Sequence, residues 1–107
     1  MIDRYGIYWV RLDPAEGREV KKVRPCVVVS PGSMHRTGMC VVCAMTTKLH
    51  PTWAHRIQIN SKAGVSEIMA DQIRAVSITR FGKQIDKLSA ADAEKLRELL
   101  TRLYGTV

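Results

Sequence analysis

The stretch KVRPCVVVSPGSMHRTGMCVVCAMTTK, residues 22–48, decides how this chain folds. It contains two apolar runs, PCVVVS at 25–30 and GMCVVCAM at 38–45, which a short polar loop separates. Each run is too short for a typical helix, and uninterrupted valine and cysteine indicate a strand that is covered on both faces. The sequence therefore predicts two neighbouring buried strands joined by a loop.

Polar side chains flank these two runs. Arg24 comes directly before the proline of the first run, and the pair Thr46 and Thr47 follows the second. If the strands are antiparallel neighbours, Arg24 lies close to Thr46, and a guanidinium beside a hydroxyl suits a phosphate group. A solvated strand edge that happens to carry both side chains is the simpler interpretation, and the residues alone leave both open.

Three further segments have strand patterns. IYWVRL at 7–12 is rich in β-branched and aromatic residues, and HRIQIN at 55–60 alternates isoleucine with polar residues. VSEIMADQIRAVSI at 65–78 predicts one or two more strands, with residues 71–72 as the expected break. Five or more short strands are therefore expected before the pattern of the chain changes.

From Ser89 onward the apolar residues recur at helical spacing, in SAADAEKLRELLTRLYG at 89–105. Ser89 is expected as the N-cap, with Asp92 in the first turn, and Gly105 as the C′ residue. Strands followed by one amphipathic helix predict a mainly β fold, a small barrel formed by one domain over residues 1–107, with the helix packed over its open side. The expected buried stripe of the helix consists of Ala93, Leu96, Leu99, Leu100 and Leu103.

The charge of the chain is strongly positive. Its 107 residues include 17 Lys and Arg against 10 Asp and Glu, which gives a formal net charge of +7. Such a charge favours nucleic acid, acidic proteins or anionic membranes as partners, although it can serve solubility alone. No apolar run reaches the ~20 residues that a bilayer crossing needs, and the N-terminus has no signal-peptide pattern, so a cytoplasmic location is expected.

The three cysteines are expected to be reduced and buried. An odd number in a chain without an export signal argues against a disulfide framework. Cys40 and Cys43 would point to opposite faces of a strand, so their sulfurs diverge instead of converging on a metal. His35, His50 and His55 lack the helical spacing of a metal pair, and phosphate-binding and dinucleotide glycine motifs are missing, so neither a metal nor a cofactor is expected.

Several segments resemble the MazF/PemK family of toxin endoribonucleases from bacterial toxin–antitoxin systems. The resemblance rests on WVRLDPAEGREVKKVRPCVVVSP at 9–31, TGMCVVCAMTT at 37–47 and MADQIRAVS at 69–77, in that order before the C-terminal helix. It implies an SH3-like barrel that forms homodimers, and an enzyme that cuts single-stranded RNA at short sequences without a metal. It also implies a cognate antitoxin, which the net charge of +7 predicts to be acidic.

The resemblance also assigns site residues. The essential arginine of the family corresponds to Arg24 and its essential threonine to Thr46, with Thr47 as a neighbour of that threonine. The loop glutamate of the family corresponds to Glu19, and the aspartate that some members use corresponds to Asp71. The site expected from the resemblance therefore includes the same arginine and threonine that the strand pattern brings together.

The resemblance also bears on mechanism. Met69 stands where the PemK/Kid branch has a second catalytic arginine, which places the chain nearer the MazF branch. The expected nucleophile is the 2′-hydroxyl of the RNA, because it already lies beside the phosphate, and the arginine and threonine would stabilise the developing charge. The general base stays open among Glu19, His35 and His50.

Two functions of other classes remain alternatives. A CcdB-like gyrase poison shares the fold but acts through a C-terminal Trp-Gly-Ile end, whereas this chain ends Tyr-Gly-Thr-Val. A non-catalytic RNA-binding barrel would hold bases by stacking on a basic surface. The residues expected to contact RNA, whether it is cut or only bound, are Lys21, Lys22, Arg36, Lys48 and Trp53.

Overall fold

The computed structural model describes residues 1–14, 16–19 and 22–105. A 3-10 turn at Ile78–Arg80 precedes the last strand. Neither helix in the described part of the chain has the length and apolar character that a bilayer crossing needs. The elements in chain order are β1 (Gly6–Arg11), β2 (Val23–Val28), α1 (Gly32–His35), β3 (Met39–Thr46), β4 (Arg56–Ser61), β5 (Gly64–Ser77), β6 (Phe81–Lys87) and α2 (Ala90–Tyr104).

The described strands form an antiparallel sheet in the order β4-β5-β3-β2-β1-β6. β2 and β3 lie at its centre, with Cys26 opposite Ala44 and Val27 opposite Cys43. β1 continues the sheet beside β2, and β5 continues it beside β3. The prediction that the two apolar runs are neighbouring antiparallel strands is therefore confirmed.

Side chains of the central strands alternate between two cores on opposite faces of the sheet. One core contains Val27 and Cys43 and is covered by Ala93 and Leu96 of α2. The other core contains Cys26 together with valines from β1, β2 and β3, and the sheet curls around it as a half-barrel. Because consecutive residues of the central strands pack into different cores, no polar residue interrupts their apolar runs. The expected mainly β fold of the SH3-like type with a C-terminal helix is confirmed.

The caps of α2 differ at its two ends. Ser89 Oγ accepts the N–H of Asp92 at 3.1 Å, as predicted for the N-cap. Gly105 has φ −79°, so it does not adopt the left-handed conformation typical of a C′ glycine, and its N–H donates to the carbonyl of Thr101 at 2.8 Å. A Cβ at Gly105 would lie 2.6 Å from that carbonyl oxygen, so the close approach of two backbones favours glycine here.

The predicted stripe of α2 contacts the sheet everywhere except at Leu103, which keeps 38% of its surface exposed. The last turn contacts β5 through Tyr104 instead, whose hydroxyl donates to the carbonyl oxygen of Ala70 at 2.8 Å. Desolvation raises the pKa of the Tyr104 hydroxyl, so it remains a donor at neutral pH. The buried members of the stripe are Ala93, Leu96 and Leu99, and Leu100 is half-buried.

β5 runs without interruption over Gly64–Ser77, so the break predicted at residues 71–72 is wrong. The chain has a bulge there instead. Cys43 pairs with Ile73 and Met45 pairs with Ile68, so β3 advances by two residues where β5 advances by five. β5 continues past the irregularity because β4 pairs with its first half. A bulge turns its side chains in new directions, and Asp71 is one of those it carries.

The sequence pattern does not predict β6. Its residues, FGKQIDK, are mostly polar, and Phe81, Ile85 and Asp86 are only half-buried. β6 lies at the edge of the sheet, where it pairs with β1 through a ladder that contains register shifts. Phe81 and Ile85 pack against the two cores, but the three residues between them are exposed and held by backbone pairing, so hydrophobic alternation is missing from the strand.

The three cysteines are buried free thiols, as predicted. Cys40 lies in the core on one face of the sheet and Cys43 in the core on the other, so their sulfurs diverge. Burial raises the pKa of Cys26 and of Cys43 to about 12, and it also raises the pKa of Cys40. At neutral pH none of these thiols is a reactive thiolate.

We expect the native protein to be inert to Ellman's reagent at pH 8. A thiol with a pKa of about 12 is ionised there to about one part in 10⁴, and the surrounding core excludes the reagent. Cys26, Cys40 and Cys43 should all react once the chain is unfolded in denaturant. Absorbance of the released thionitrobenzoate measures the reaction, with reduced glutathione as the control. One fast equivalent in native buffer would contradict the burial.

Candidate active site

β2 and β3 separate at the end where Arg24 and Thr46 lie. Their ladder ends at Cys26 opposite Ala44, and the same register continued by two residues would place Arg24 opposite Thr46. β2 stays paired with β1 there, with Arg24 opposite Val10, while β3 stays paired with β5. We call the gap between the separating strands the fork.

Two adjoining pockets open at the fork, and Arg24 and Thr46 line both of them. Pocket A has a volume of about 290 Å³, and pocket B has a volume of about 180 Å³. The structure thus brings together the guanidinium and the hydroxyl that the sequence pairs. Besides these two residues, pocket A is lined by Trp9, Lys22, Val23, Pro25, Met45, Thr47, Ala63 and Ser66. Pocket B is completed by Lys48, His50, Arg56 and Met69.

Lys22 reaches pocket A from an unusual backbone conformation. Its φ is +67°, in the left-handed region that residues other than glycine seldom adopt. Asp13 and Leu12 hold it there, because the Lys22 N–H donates to Asp13 Oδ1 at 3.0 Å and the Lys22 carbonyl accepts the N–H of Leu12 at 2.8 Å. Thr47 lines the same pocket, whereas Lys21 lies outside the described residues.

Pocket B is strongly cationic. Arg24, Lys48 and Arg56 line it around the Thr46 hydroxyl and the His50 side chain. Arginine offers a planar fork of donors and lysine a compact charge, and both bind phosphate oxygens. A pocket of this size with three cations and a hydroxyl is suited to one phosphate group of a larger ligand.

Glu67 lies behind pocket B. It is opposite Thr46 in the β3–β5 ladder, and only 1% of its surface is exposed. Its Oε1 lies 3.4 Å from Arg56 Nη1, and its Oε2 accepts the backbone N–H of His50 at 2.9 Å. A buried carboxylate is tolerated only when charged or hydrogen-bonding partners compensate it. Glu67 therefore holds Arg56 of β4 and His50 of the β3–β4 loop next to each other.

Trp53 organises the loop between β3 and β4. The His50 ring stacks on it with centroids 3.8 Å apart and planes 6° apart, and the Arg56 guanidinium lies 4.7 Å from its ring centroid. The backbone N–H of Trp53 also donates to the His50 carbonyl at 3.0 Å. Trp53 is 42% exposed, so a base can still reach it, but much of its ring already contacts protein.

Asp71 and Glu19 line a third pocket, pocket C, of about 360 Å³, together with Arg18 and Arg74. Asp71 Oδ1 lies 3.4 Å from Arg56 Nε, so this arginine connects pockets B and C. Arg56 Nε is buried without a well-aligned hydrogen bond to any described residue, so its attraction to Asp71 is mainly Coulombic.

The other carboxylate of pocket C is engaged by its own loop. Glu19 Oε1 accepts the N–H of Glu16 at 2.9 Å. Asp71 also approaches a histidine, with its Oδ2 3.7 Å from His55 Nε2. The structure therefore brings Glu19 and Asp71 together in pocket C, whereas Arg24 and Thr46 lie together in pockets A and B.

His35 and Arg36 lie elsewhere. Both line a fourth pocket of about 570 Å³ beside the N-terminal residues Met1 and Ile2. His35 Nε2 is 2.8 Å from the hydroxyl of Ser30, which is itself buried and accepts the backbone N–H of Val41. The His35 side chain therefore braces the loop between β2 and β3, far along the hairpin from the fork.

Arg56 and Glu67 are the site residues that sequence reasoning missed. A glutamate inside the apolar run VSEIMA, at a strand position flanked by buried residues, requires a cationic partner, and that feature could have identified Glu67. Its partner is not recognisable in advance, because Arg56 is the first residue of a half-buried strand, where an exposed arginine is ordinary. No group of three or more His, Cys, Asp or Glu among the described residues is arranged to hold a metal ion.

Known proteins resemble this chain over most of its length. Endoribonuclease MazF9 of Mycobacterium tuberculosis is 29% identical over 110 residues, which cover 94% of this chain and 93% of that protein. Endoribonuclease toxin MazF of Escherichia coli (strain K12) is 29% identical over 83 residues, which cover 72% of this chain and 74% of that protein.

Solved structures share the fold. MazF from Deinococcus radiodurans superposes with a TM-score of 0.85 at 22% identity, covering 98% of this chain and 97% of that chain. A mycobacterial endoribonuclease in complex with its cognate antitoxin has a TM-score of 0.80 at 20% identity, covering 97% and 95%. The family model of PemK-like, MazF-like toxins of type II toxin–antitoxin systems matches residues 3–104. The chain belongs to this toxin family.

Proposed function

We propose that this protein is a sequence-specific endoribonuclease that cleaves single-stranded RNA at a phosphate held by Arg24 and Thr46. The observation that carries the proposal is that these two side chains line both pockets at the fork. The relatives named above from Mycobacterium tuberculosis and Escherichia coli are endoribonucleases, which supports the same chemistry here.

The mechanism follows from what these side chains can do. The nucleophile is the 2′-hydroxyl of the RNA, which is held beside the phosphorus by the ribose itself, so the protein mainly orients and stabilises charge. Arg24 donates to the phosphoryl oxygens and the Thr46 hydroxyl donates once more; one preorganised donor is worth about 3 kcal/mol in the transition state. Arginine stays protonated in proteins, so Arg24 stabilises charge and does not act as the base.

Residues around the fork fit an RNA strand on either side of that phosphate. Lys22 in pocket A and Lys48 in pocket B offer cations for neighbouring phosphates. Trp53 offers part of its ring to a base, and the carboxylates of pocket C are acceptors for exocyclic amines. Base contacts of this kind would give the enzyme its sequence preference.

A cognate antitoxin and a second copy of this chain are the protein partners that we propose, in the cytoplasm. Solved relatives include an endoribonuclease in complex with its cognate antitoxin and a MazE–MazF assembly from Deinococcus radiodurans. The net charge of +7 favours an acidic antitoxin segment, which can fold over a basic surface as it binds.

Cleavage of a long single-stranded RNA should survive EDTA and fall about 10²-fold in Arg24→Ala and in Thr46→Ala. Each variant removes one donor to the charge that develops on the phosphate. Gel analysis of time courses measures the rate, and circular dichroism checks that the variants fold. Arg102→Ala and Thr101→Ala, on the exposed side of α2, are matched controls that should keep the wild-type rate.

The outcomes of that experiment separate the alternatives. Retardation of RNA in a gel without cleavage would favour the non-catalytic RNA-binding barrel, and no effect on RNA would favour a protein-binding growth inhibitor. Activity that disappears with EDTA and returns with magnesium would contradict the mechanism. A wild-type rate in Arg24→Ala would contradict the assignment of the site.

An RNA with a single 2′-deoxy residue just upstream of the scissile bond should bind almost as tightly as the parent RNA and remain uncut. Removing the 2′-hydroxyl removes the nucleophile but none of the phosphates that the cations contact. Mass spectrometry should find a 2′,3′-cyclic phosphate and a 5′-hydroxyl among the products of the parent RNA. Comparable cleavage of the deoxy substrate would mean that water attacks the phosphorus.

Binding of the cognate antitoxin should weaken about tenfold or more between about 0.1 and 1 M salt, because screening reduces attraction between a basic surface and an acidic segment. Isothermal titration at several salt concentrations measures the dissociation constant. Bound antitoxin should also block RNA cleavage at low salt. An affinity that is independent of ionic strength would show that charge does not organise this interface.

A further inference from the structure

The Glu67 carboxylate lies behind pocket B without facing solvent. It is 1% exposed, on β5 opposite Thr46, and it makes an ion pair with Arg56 and accepts the backbone N–H of His50. Because an uncompensated buried carboxylate is costly, these contacts are strongly favoured over any arrangement that breaks them. The position of Glu67 therefore fixes the positions of its two partners.

His50 is held at three points. Its backbone N–H donates to Glu67 Oε2 at 2.9 Å, its carbonyl accepts the backbone N–H of Trp53 at 3.0 Å, and its ring stacks on the Trp53 ring with centroids 3.8 Å apart. The backbone and one ring face are thus fixed. His50 is one of the residues that line pocket B, together with Arg24 and Thr46.

The other two candidate bases are placed differently. Glu19 lines pocket C and accepts the N–H of Glu16, and His35 contacts Ser30 beside a separate pocket. Of the three candidates, His50 shares a pocket with the arginine and threonine of the site. A general base has to come within hydrogen-bond reach of the proton that it removes, so placement is the first criterion.

We infer that the His50 imidazole removes the proton of the attacking 2′-hydroxyl and that Glu67, together with Arg56, is the positioning pair that holds His50 in pocket B. This inference rests on the proposed function. The 2′-oxygen forms a bond to phosphorus while its proton passes to a ring nitrogen of His50. The P–O5′ bond breaks, the 5′-oxygen takes a proton from water, and the imidazolium afterwards returns its proton to solvent.

The charged groups around His50 come from its own loop and from three strands, β2, β4 and β5. Arg24 of β2, Lys48 of the same loop and Arg56 of β4 line the pocket with it, and Glu67 of β5 is bonded to its backbone. Histidine is the side-chain type that changes charge between pH 5 and 8. An acidic limb in the pH–rate profile that depends on residue 50 is therefore a readout of its proton transfer.

The test compares His50→Gln with His55→Gln, a matched variant of the other histidine in contact with Trp53. His50→Gln should lower kcat on a long RNA by about 10²-fold or more, change KM by less than about threefold, and remove the acidic limb of the pH profile. His55→Gln should keep kcat within about threefold of the wild-type value and retain that limb.

A double-mutant cycle tests the positioning role. Glu67→Gln keeps the shape of the side chain and the acceptor for the His50 N–H, but it removes the charge that holds Arg56. It should lower kcat about tenfold in the wild-type background and by less than about twofold in the His50→Gln background, because residues that act through one another are not additive. Equal losses in both backgrounds would mean that Glu67 acts on the fold or on another group.

The failures are distinguishable. If the wild-type protein cuts RNA and Arg24→Ala does not, while His50→Gln keeps the wild-type kcat and pH profile, the inference about His50 is wrong and the proposed function stands. If the wild-type protein does not cut RNA at all, both are wrong. Should Glu67→Gln not fold, the double variant Glu67→Leu/Arg56→Leu removes both buried charges and takes its place in the cycle.

Discussion

The antiparallel pairing of β2 with β3 is the constraint on which the rest of the structure depends. Its register sends alternate side chains into two cores, with Cys26 and Ala44 toward one and Val27 and Cys43 toward the other. The pairing also ends early, because β2 continues with β1 and β3 continues with β5. The same strands that build the core therefore open the fork, and no separate loop is needed to position Arg24 and Thr46.

The site combines exposed and buried charge, and the two have different effects. Cations beside solvent, such as Lys48, keep most of their hydration and are available to a ligand. The buried pair of Arg56 with Glu67 adds little net stability in general, since desolvation offsets most of the attraction. Breaking one half of such a pair is costly, however, so the pair specifies one conformation of the loop that carries His50.

The sequence predicts most strands of this sheet well, including β4 at one edge, but it misses β6 at the other edge and the bulge in β5. Valine-rich runs define β2 and β3, and helical spacing with a serine cap defines α2, because burial on regular elements leaves a period in the sequence. β6 leaves no such period, since it is held by backbone pairing at the sheet edge. The bulge in β5 depends on a register shift against β3, and a property of two strands cannot be recognised from one of them.

The candidate site shows the same division. The approach of Arg24 to Thr46 follows from strand order, so it could be anticipated from flanking residues alone. The contacts of Glu67 could not be anticipated, because they join β5, β4 and a loop that are brought together only by folding. Pairing along the central strands thus determines where Arg24 and Thr46 lie, whereas long-range contacts of one buried carboxylate, Glu67, position Arg56 and His50 in the same pocket. A change in the β2–β3 register would move Arg24 and Thr46. A change at Glu67 would move only its partners, Arg56 and His50.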